Sequence, residues 1–150
     1  MSKSVVRFFN IVLAGIMAGM VFGVWLGCDP KNMSFPGYVE YQQGLIAAFN
    51  VLMPILGLIV ILLTALSAVL QREDKGTFIV LLLAIALLIL SGLITRFVNQ
   101  PINAIVMTWK PDSPPGDWIA LRDRWWSFHI VRTLAIGMSF CLVTASGLRR

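Results

Sequence analysis

Long apolar stretches separated by short polar ones dominate the chain, and their lengths predict helices that cross a membrane. A helix needs about 20 apolar residues to span the hydrocarbon core. Four stretches qualify, at residues 8–27, 45–70, 77–98 and 128–148. The polar run QREDKG at 71–76 is a tight turn between the second and third. The pattern therefore predicts an all-α fold: one integral membrane domain, 1–150, built as a bundle of four transmembrane helices. The first stretch ends at Cys28 and resembles a lipoprotein leader, but Trp25, Leu26 and Gly27 do not supply the small residues such a cleavage site requires. Its apolar run also exceeds the ~7–15 residues of a leader's core. It is read as a retained first span.

Composition agrees with this picture. Only 13% of the 150 residues are charged, against about a quarter in soluble domains, and mean hydropathy is +0.84. The net charge of +5 comes from basic residues spread along the chain, so it reads as topology rather than as a nucleic-acid patch. Membrane lipid is the expected partner, and no nucleic acid. Lys3, Arg7, Arg72, Lys75, Arg149 and Arg150 fall on one side of the predicted bundle. On the other side Lys31, Lys110, Arg122 and Arg124 are balanced by Asp29, Glu40, Asp112, Asp117 and Asp123. The excess of positive charge on one side predicts a multi-pass protein of the cell inner membrane with both termini in the cytoplasm. Loops 28–44 and 97–124 then face outward. Cys28 and Cys141 fall at different depths, so both thiols are expected to be free.

Two features of the spans carry candidate function. The first span has Gly15, Gly19, Gly23 and Gly27 at every fourth position, a face that another backbone can approach closely. It serves helix packing, room for a flat ligand, or docking into a homo-oligomer or a larger membrane complex. The second feature is polar. Arg96, Asn99, Gln100 and Asn103 share one face at the outward end of the third span. Arg122, Trp125, His129 and Arg132 form a matching stripe on the fourth, and Asn50 sits at similar depth in the second. Pro101 is expected to kink or loosen the third span at this level. Ionisable groups at membrane depth are expensive and mark a functional pocket by default, here near the outer, periplasmic end. Arg132 needs acceptors there: the amide oxygens of Asn99 and Asn103, backbone carbonyls freed by Pro101, or an outer-loop acid such as Glu40 or Asp29. The competing reading is structural. Trp109, Trp118, Trp125 and Trp126 suit an interfacial aromatic belt, and Arg122 and Arg124 suit snorkelling into headgroups. The belt and headgroup readings are preferred for Trp126 and Arg124. Arg96 stands at the border.

Other chemistries find little support. With one histidine and no acid inside a span, no metal site is expected. No paired carboxylates lie at membrane depth, and there is no glycine-rich phosphate loop or nucleophile elbow. Two-histidine haem ligation within the chain is impossible; a haem captured through one axial histidine stays open.

The run NQPIN at 99–103, followed by Trp109 and RWWSFHIVR at 124–132, resembles the anthrone oxygenase-like family, also called the domain-of-unknown-function 1772 family. The family pattern is roughly N-x-P-x-N, a Trp, then R-W-x-x-W-H-x-x-R. Asn99, Pro101, Asn103, Trp109, Arg124, Trp125, His129 and Arg132 match it, and Phe128 stands where Trp is common. The resemblance implies a small four-helix membrane protein. Some fungal members are similar to enzymes that oxidise anthrones to anthraquinones with O2 and no obvious cofactor. The implied substrate is a hydrophobic aromatic small molecule, anthrone- or quinone-like. In that chemistry His129 would be the general base and Arg132, Asn99 and Asn103 the oxyanion stabilisers. Trp109 and Trp125 would stack on the rings, with Asn50 and Arg96 as further binding residues. The rival reading is a non-catalytic quinone- or lipid-binding protein, or a small accessory subunit of a larger membrane complex.

Overall fold

The computed structural model describes residues 3–148. Among these residues every regular element is helical, in the order α1 (Lys3–Gly27), α2 (Phe35–Phe49), α3 (Leu52–Leu70), α4 (Lys75–Ile94), α5 (Gln100–Val106) and α6 (Trp118–Leu148), with a 3-10 turn at Pro30–Asn32 and a π turn at Thr95–Asn99. The long helices pack in the cyclic order α1–α3–α4–α6, each touching its two neighbours. Four helical stretches are long and apolar enough to cross a membrane: Lys3–Asn32, Leu52–Leu70, Lys75–Val106 and Trp118–Leu148. The protein is thus an all-α bundle with the character of a multi-pass membrane protein. Arg149 and Arg150, counted above among the basic residues at one end, lie outside the described residues.

Prolines set the departures from the simple hydropathy reading. The expected second span, 45–70, is broken at Asn50–Val51, and α3 begins at Leu52. Pro54 explains the break: it has no N–H to offer the Asn50 carbonyl, and its ring collides with that carbonyl in a continuing helix. The residues before it form a separate helix, α2, started by Ser34, whose hydroxyl accepts from the Gly37 N–H. α2 packs against α5 across the end of the bundle that carries the polar stripes. Pro101 acts more gently. The helix of the third span widens into the π turn, where the Gln100 N–H reaches back five residues to the Thr95 carbonyl. The chain runs on into α5 with its bonding largely intact. Such turns recur at functional sites, and this one carries Arg96 and Asn99.

α6 starts at Trp118, ten residues before the apolar run at 128. At about 1.5 Å per residue its 31 residues exceed the ~30 Å hydrocarbon core. Its first turns lie under α2, where Trp118 packs on Phe35 at 5.1 Å.

At the opposite end, polar pairs tie the helices together. Arg7 bonds Gln71, the Thr64 hydroxyl lies 3.0 Å from the buried Asn10 Oδ1, and the Ser139 hydroxyl donates to the Ala84 carbonyl at 3.0 Å. Asp74 caps α4 through the N–H groups of Gly76 and Thr77. Cys28 and Cys141 are free thiols.

The glycine face is a correction. Only Gly15 meets a neighbour closely, since a Cβ there would lie 3.1 Å from the Phe140 ring. A Cβ on Gly19, Gly23 or Gly27 would meet nothing within 4 Å. The stripe drifts around the helix because four residues exceed one 3.6-residue turn, and its outer part faces away from the bundle.

Candidate functional site

The α6 stripe turns inward. Trp125, Trp126 and His129 are buried, and His129 keeps only 1% of its surface. The imidazole stacks on Trp125 with centroids 5.0 Å apart and planes 3° from parallel, and on Trp126 at 5.5 Å and 16°. These three rings meet because residues three and four apart share a helix face. Trp126 is thus part of the histidine's packing rather than an interfacial belt residue. The belt reading failed because the helix begins ten residues early and places Trp126 under α2.

Arg132 lies one turn further on. Its Nε and Nη2 are 3.3 and 3.0 Å from His129 Nδ1, and its Nη1 is 3.3 Å from Thr95 Oγ1 on the π turn. The Thr95 hydroxyl in turn donates to the Ser91 carbonyl at 2.9 Å. A guanidinium only donates, so Nδ1 is the acceptor and the ring proton belongs on Nε2. That Nε2–H has no hydrogen-bond partner among the described residues. The guanidinium also sits 5.9 Å over the Trp125 ring. No carboxylate reaches it: the ion pair seen among the described residues is Arg122–Asp123, at 2.9 Å.

The two asparagines do not serve Arg132, as the sequence reading expected, but fix Trp125. Asn103 Oδ1 accepts from the indole Nε1–H at 2.8 Å, and Asn99 Nδ2 donates to the Trp125 carbonyl at 3.1 Å. An indole N–H buried this deeply needs an acceptor, and α5 supplies it. Nor do Glu40 and Asp29 approach the arginine. Glu40 is exposed, and Asp29 caps the turn at Pro30 by accepting from the Lys31 N–H.

Two cavities adjoin this group. One, of about 50 Å³, lies under α2 and is lined on its polar side by Gln42, Asn50, Gln100, Asn103, His129 and Arg132. The other, of about 270 Å³, runs down between α3 and α4 past Gly57, Leu58, Leu88 and Gly92. They share a wall of Val21, Met53, Pro54, Thr95, Gln100 and Arg132. For scale, an apolar cavity of ~150 Å³ holds benzene, so the larger space admits a bigger ring system and the smaller one a few polar atoms. Leu58 and Gly92 are also exposed on the outside of the bundle, so the larger cavity opens towards the lipid.

A family model described as anthrone oxygenase matches residues 44–142, more than half of the chain. The chain belongs to the anthrone oxygenase family. No curated protein and no solved structure matches it.

All the residues singled out from the anthrone oxygenase pattern fall within the matched segment, but the structure does not gather all of them. Asn50, Asn103, Trp125, His129 and Arg132 meet at the smaller cavity. Asn99 is buried behind Trp125. Arg96 is exposed and reaches only the rim of the larger cavity. Trp109 stands apart, packed on Phe35 at 5.8 Å and Tyr38 at 6.3 Å. Its carbonyl accepts from Gln43 Nε2 at 3.0 Å, so it anchors α2. Arg124 is exposed. Arg122 is buried, 5.0 Å over the Trp118 ring, and so does not snorkel. Thr95 and Gln42 were missed. Thr95 reads as one more residue of an apolar span, and Gln42 precedes the apolar run.

Proposed function

We propose that this protein is a membrane-embedded oxygenase-like protein that takes a flat, hydrophobic, phenolic aromatic molecule from the bilayer and holds its acidic oxygen against Arg132. The observation that carries this reading is the guanidinium itself: a cation inside a bundle, without a carboxylate partner, on the wall between an apolar and a polar cavity. A lone buried charge costs several kcal/mol. An anionic or enolate oxygen is the partner such a charge lacks.

The chemistry suited to this arrangement converts a ring methylene to a carbonyl. A base removes the O–H proton of the ligand's enol tautomer, in which one methylene proton has already moved to the ring oxygen, and the electron pair spreads over the resulting enolate to the former methylene carbon. The carbanion carbon adds O2 to give a peroxide. The second proton then leaves as the O–O bond breaks, so one oxygen atom stays as the new carbonyl and the other departs as water. Arg132 stabilises the enolate oxygen in a site of low dielectric. His129 is the base through Nδ1. When the guanidinium turns from Nδ1 to the substrate oxygen, it frees the lone pair that takes the proton. Trp125, clamped by Asn99 and Asn103, keeps the imidazole plane fixed. O2 is the co-substrate, and the scheme calls on no metal or organic cofactor.

The charge pattern supports an orientation with both termini cytoplasmic in an inner membrane, because Lys3, Arg7, Arg72 and Lys75 cluster at the end opposite the site. The rival reading is a non-catalytic quinone- or lipid-binding protein, or an accessory subunit docked through the uncovered Gly19, Gly23 and Gly27. Turnover of 1,8-dihydroxyanthrone by protein in nanodiscs separates the two. Quinone formation above the protein-free rate, lost in His129→Ala, supports the oxygenase; tight binding of the quinone with no turnover supports a binding protein.

A further inference from the structure

We propose that Gln42 is a ligand-binding residue that reads the oxygenated edge of the aromatic ligand, a hydroxyl beside a carbonyl, in the smaller cavity. The inference rests on the reading above and extends it to a residue outside the segment that matches the family.

Gln42 lies on α2 with 0% of its surface exposed, and neither its Nε2 nor its Oε1 has a hydrogen-bond partner among the described residues. A buried primary amide that makes no hydrogen bond loses the desolvation cost of both ends, so in a finished core it would be replaced by Leu or Met. Its neighbour Gln43 shows the contrast, since that amide donates to the carbonyls of Val106 and Trp109 at 3.0 Å each. Gln42 lines the cavity of about 50 Å³ together with His129, whose Nε2–H is also unpartnered. Three donors turn towards it: the Gln42 amide N–H, the imidazole N–H and the Arg132 guanidinium. Among the groups lining this cavity, Gln42 Oε1 is a fully buried acceptor without a partner. A carbonyl or enolate oxygen satisfies the donors, and an adjacent phenol O–H satisfies the amide oxygen. The space is too small for a ring system, which belongs in the apolar cavity across the shared wall.

Tyr38 provides an internal control. It sits one turn before Gln42, is equally buried, and its hydroxyl is also without a partner. It does not line the cavity but packs between Trp109 and Trp118. A merely unsatisfied polar group and a ligand-reading one are therefore distinguishable on the same helix.

The test compares binding of 1,8-dihydroxyanthraquinone and unsubstituted anthraquinone by tryptophan quenching, with protein in nanodiscs. Wild type, Gln42→Met, Gln42→Leu and Tyr38→Phe are measured alongside their thermal unfolding. Wild type is expected to prefer the hydroxylated quinone by about tenfold, the size of one or two hydrogen bonds. Both Gln42 variants should unfold at the same or higher temperature and lose that preference, while Tyr38→Phe keeps it. A Gln42→Met protein that retains the preference would overturn the assignment, and the amide would then hold a water only. Failure of wild type to bind either quinone would overturn the proposed function, and the assignment with it.

Discussion

Gly57→Leu should strengthen the fold and empty it of ligand at once. Gly57 lies on α3 against the larger cavity, and a Cβ there would sit 3.5 Å from Met17 Cε on α1, an ordinary contact. The new side chain thus points into the bundle rather than into lipid. The three further carbons of leucine are small against the space of about 270 Å³ that Gly57 lines. Replacing glycine inside a helix gains about 0.8–1 kcal/mol of helix propensity, and filling a cavity commonly adds ~0.5–2 kcal/mol. The sum is a stabilisation of about 1–3 kcal/mol. The same atoms occupy the place proposed for the rings, so ligand affinity should fall at least tenfold. Denaturant unfolding of the variant in micelles and quinone binding by tryptophan quenching read the two effects separately. Gly92→Leu, on the facing wall, should behave alike where its side chain turns inward. A Gly57→Leu protein that is stabilised yet binds the quinone as wild type does would refute the placement of the rings between α3 and α4.

Gly15→Leu should destabilise the bundle by about 1–3 kcal/mol through overpacking against Phe140, whereas Gly19→Leu and Gly23→Leu should unfold like wild type; thermal unfolding of the three variants decides. Trp125→Phe leaves the Asn103 acceptor unpaired, and chemical unfolding should report a loss of about 1–3 kcal/mol. Tyr38 gives a pH signature. Burial away from water pushes its phenol up from the ordinary value of 10, against the pull of Arg122. A raised value means that its contribution is complete below pH 10 and is lost as pH rises beyond it. Wild type should therefore lose stability above that pH faster than Tyr38→Phe, as parallel pH titrations of unfolding would show.

Much of the bundle was legible in the sequence, because span length and charge placement act locally. The stripe of Trp125, His129 and Arg132 was legible for the same reason: its spacing fixes one helix face whatever surrounds it. Partners across helices were harder. Asn99 and Asn103 carried the right polarity, but a stripe does not say which neighbour it meets, and they bond Trp125 rather than Arg132. The separate helix α2 was hidden because its first part, 35–44, reads as outer loop and its last turn merges into the apolar run that crosses Asn50. Pro54 was the available signal, read four residues back to the carbonyl it leaves unbonded. Gln42 carries no sequence mark at all, since its interest lies in having no partner, which only packing reveals. The packing role of the glycine stripe was overread, because a four-residue repeat slips around a helix and only Gly15 stays under Phe140.

The central claim is that Arg132 serves the ligand's oxygen rather than the fold. Arg132→Met removes a cation that has no acid partner, at the cost of the contacts to His129 and Thr95. These effects oppose each other, so stability should stay within about 2 kcal/mol of wild type. The decisive measurement is O2 consumption with 1,8-dihydroxyanthrone at equal concentrations of folded protein in nanodiscs. Wild type should consume one O2 per quinone formed, above the protein-free rate, and Arg132→Met should fall to that background while remaining folded. Wild-type rates in a folded Arg132→Met protein would contradict the account.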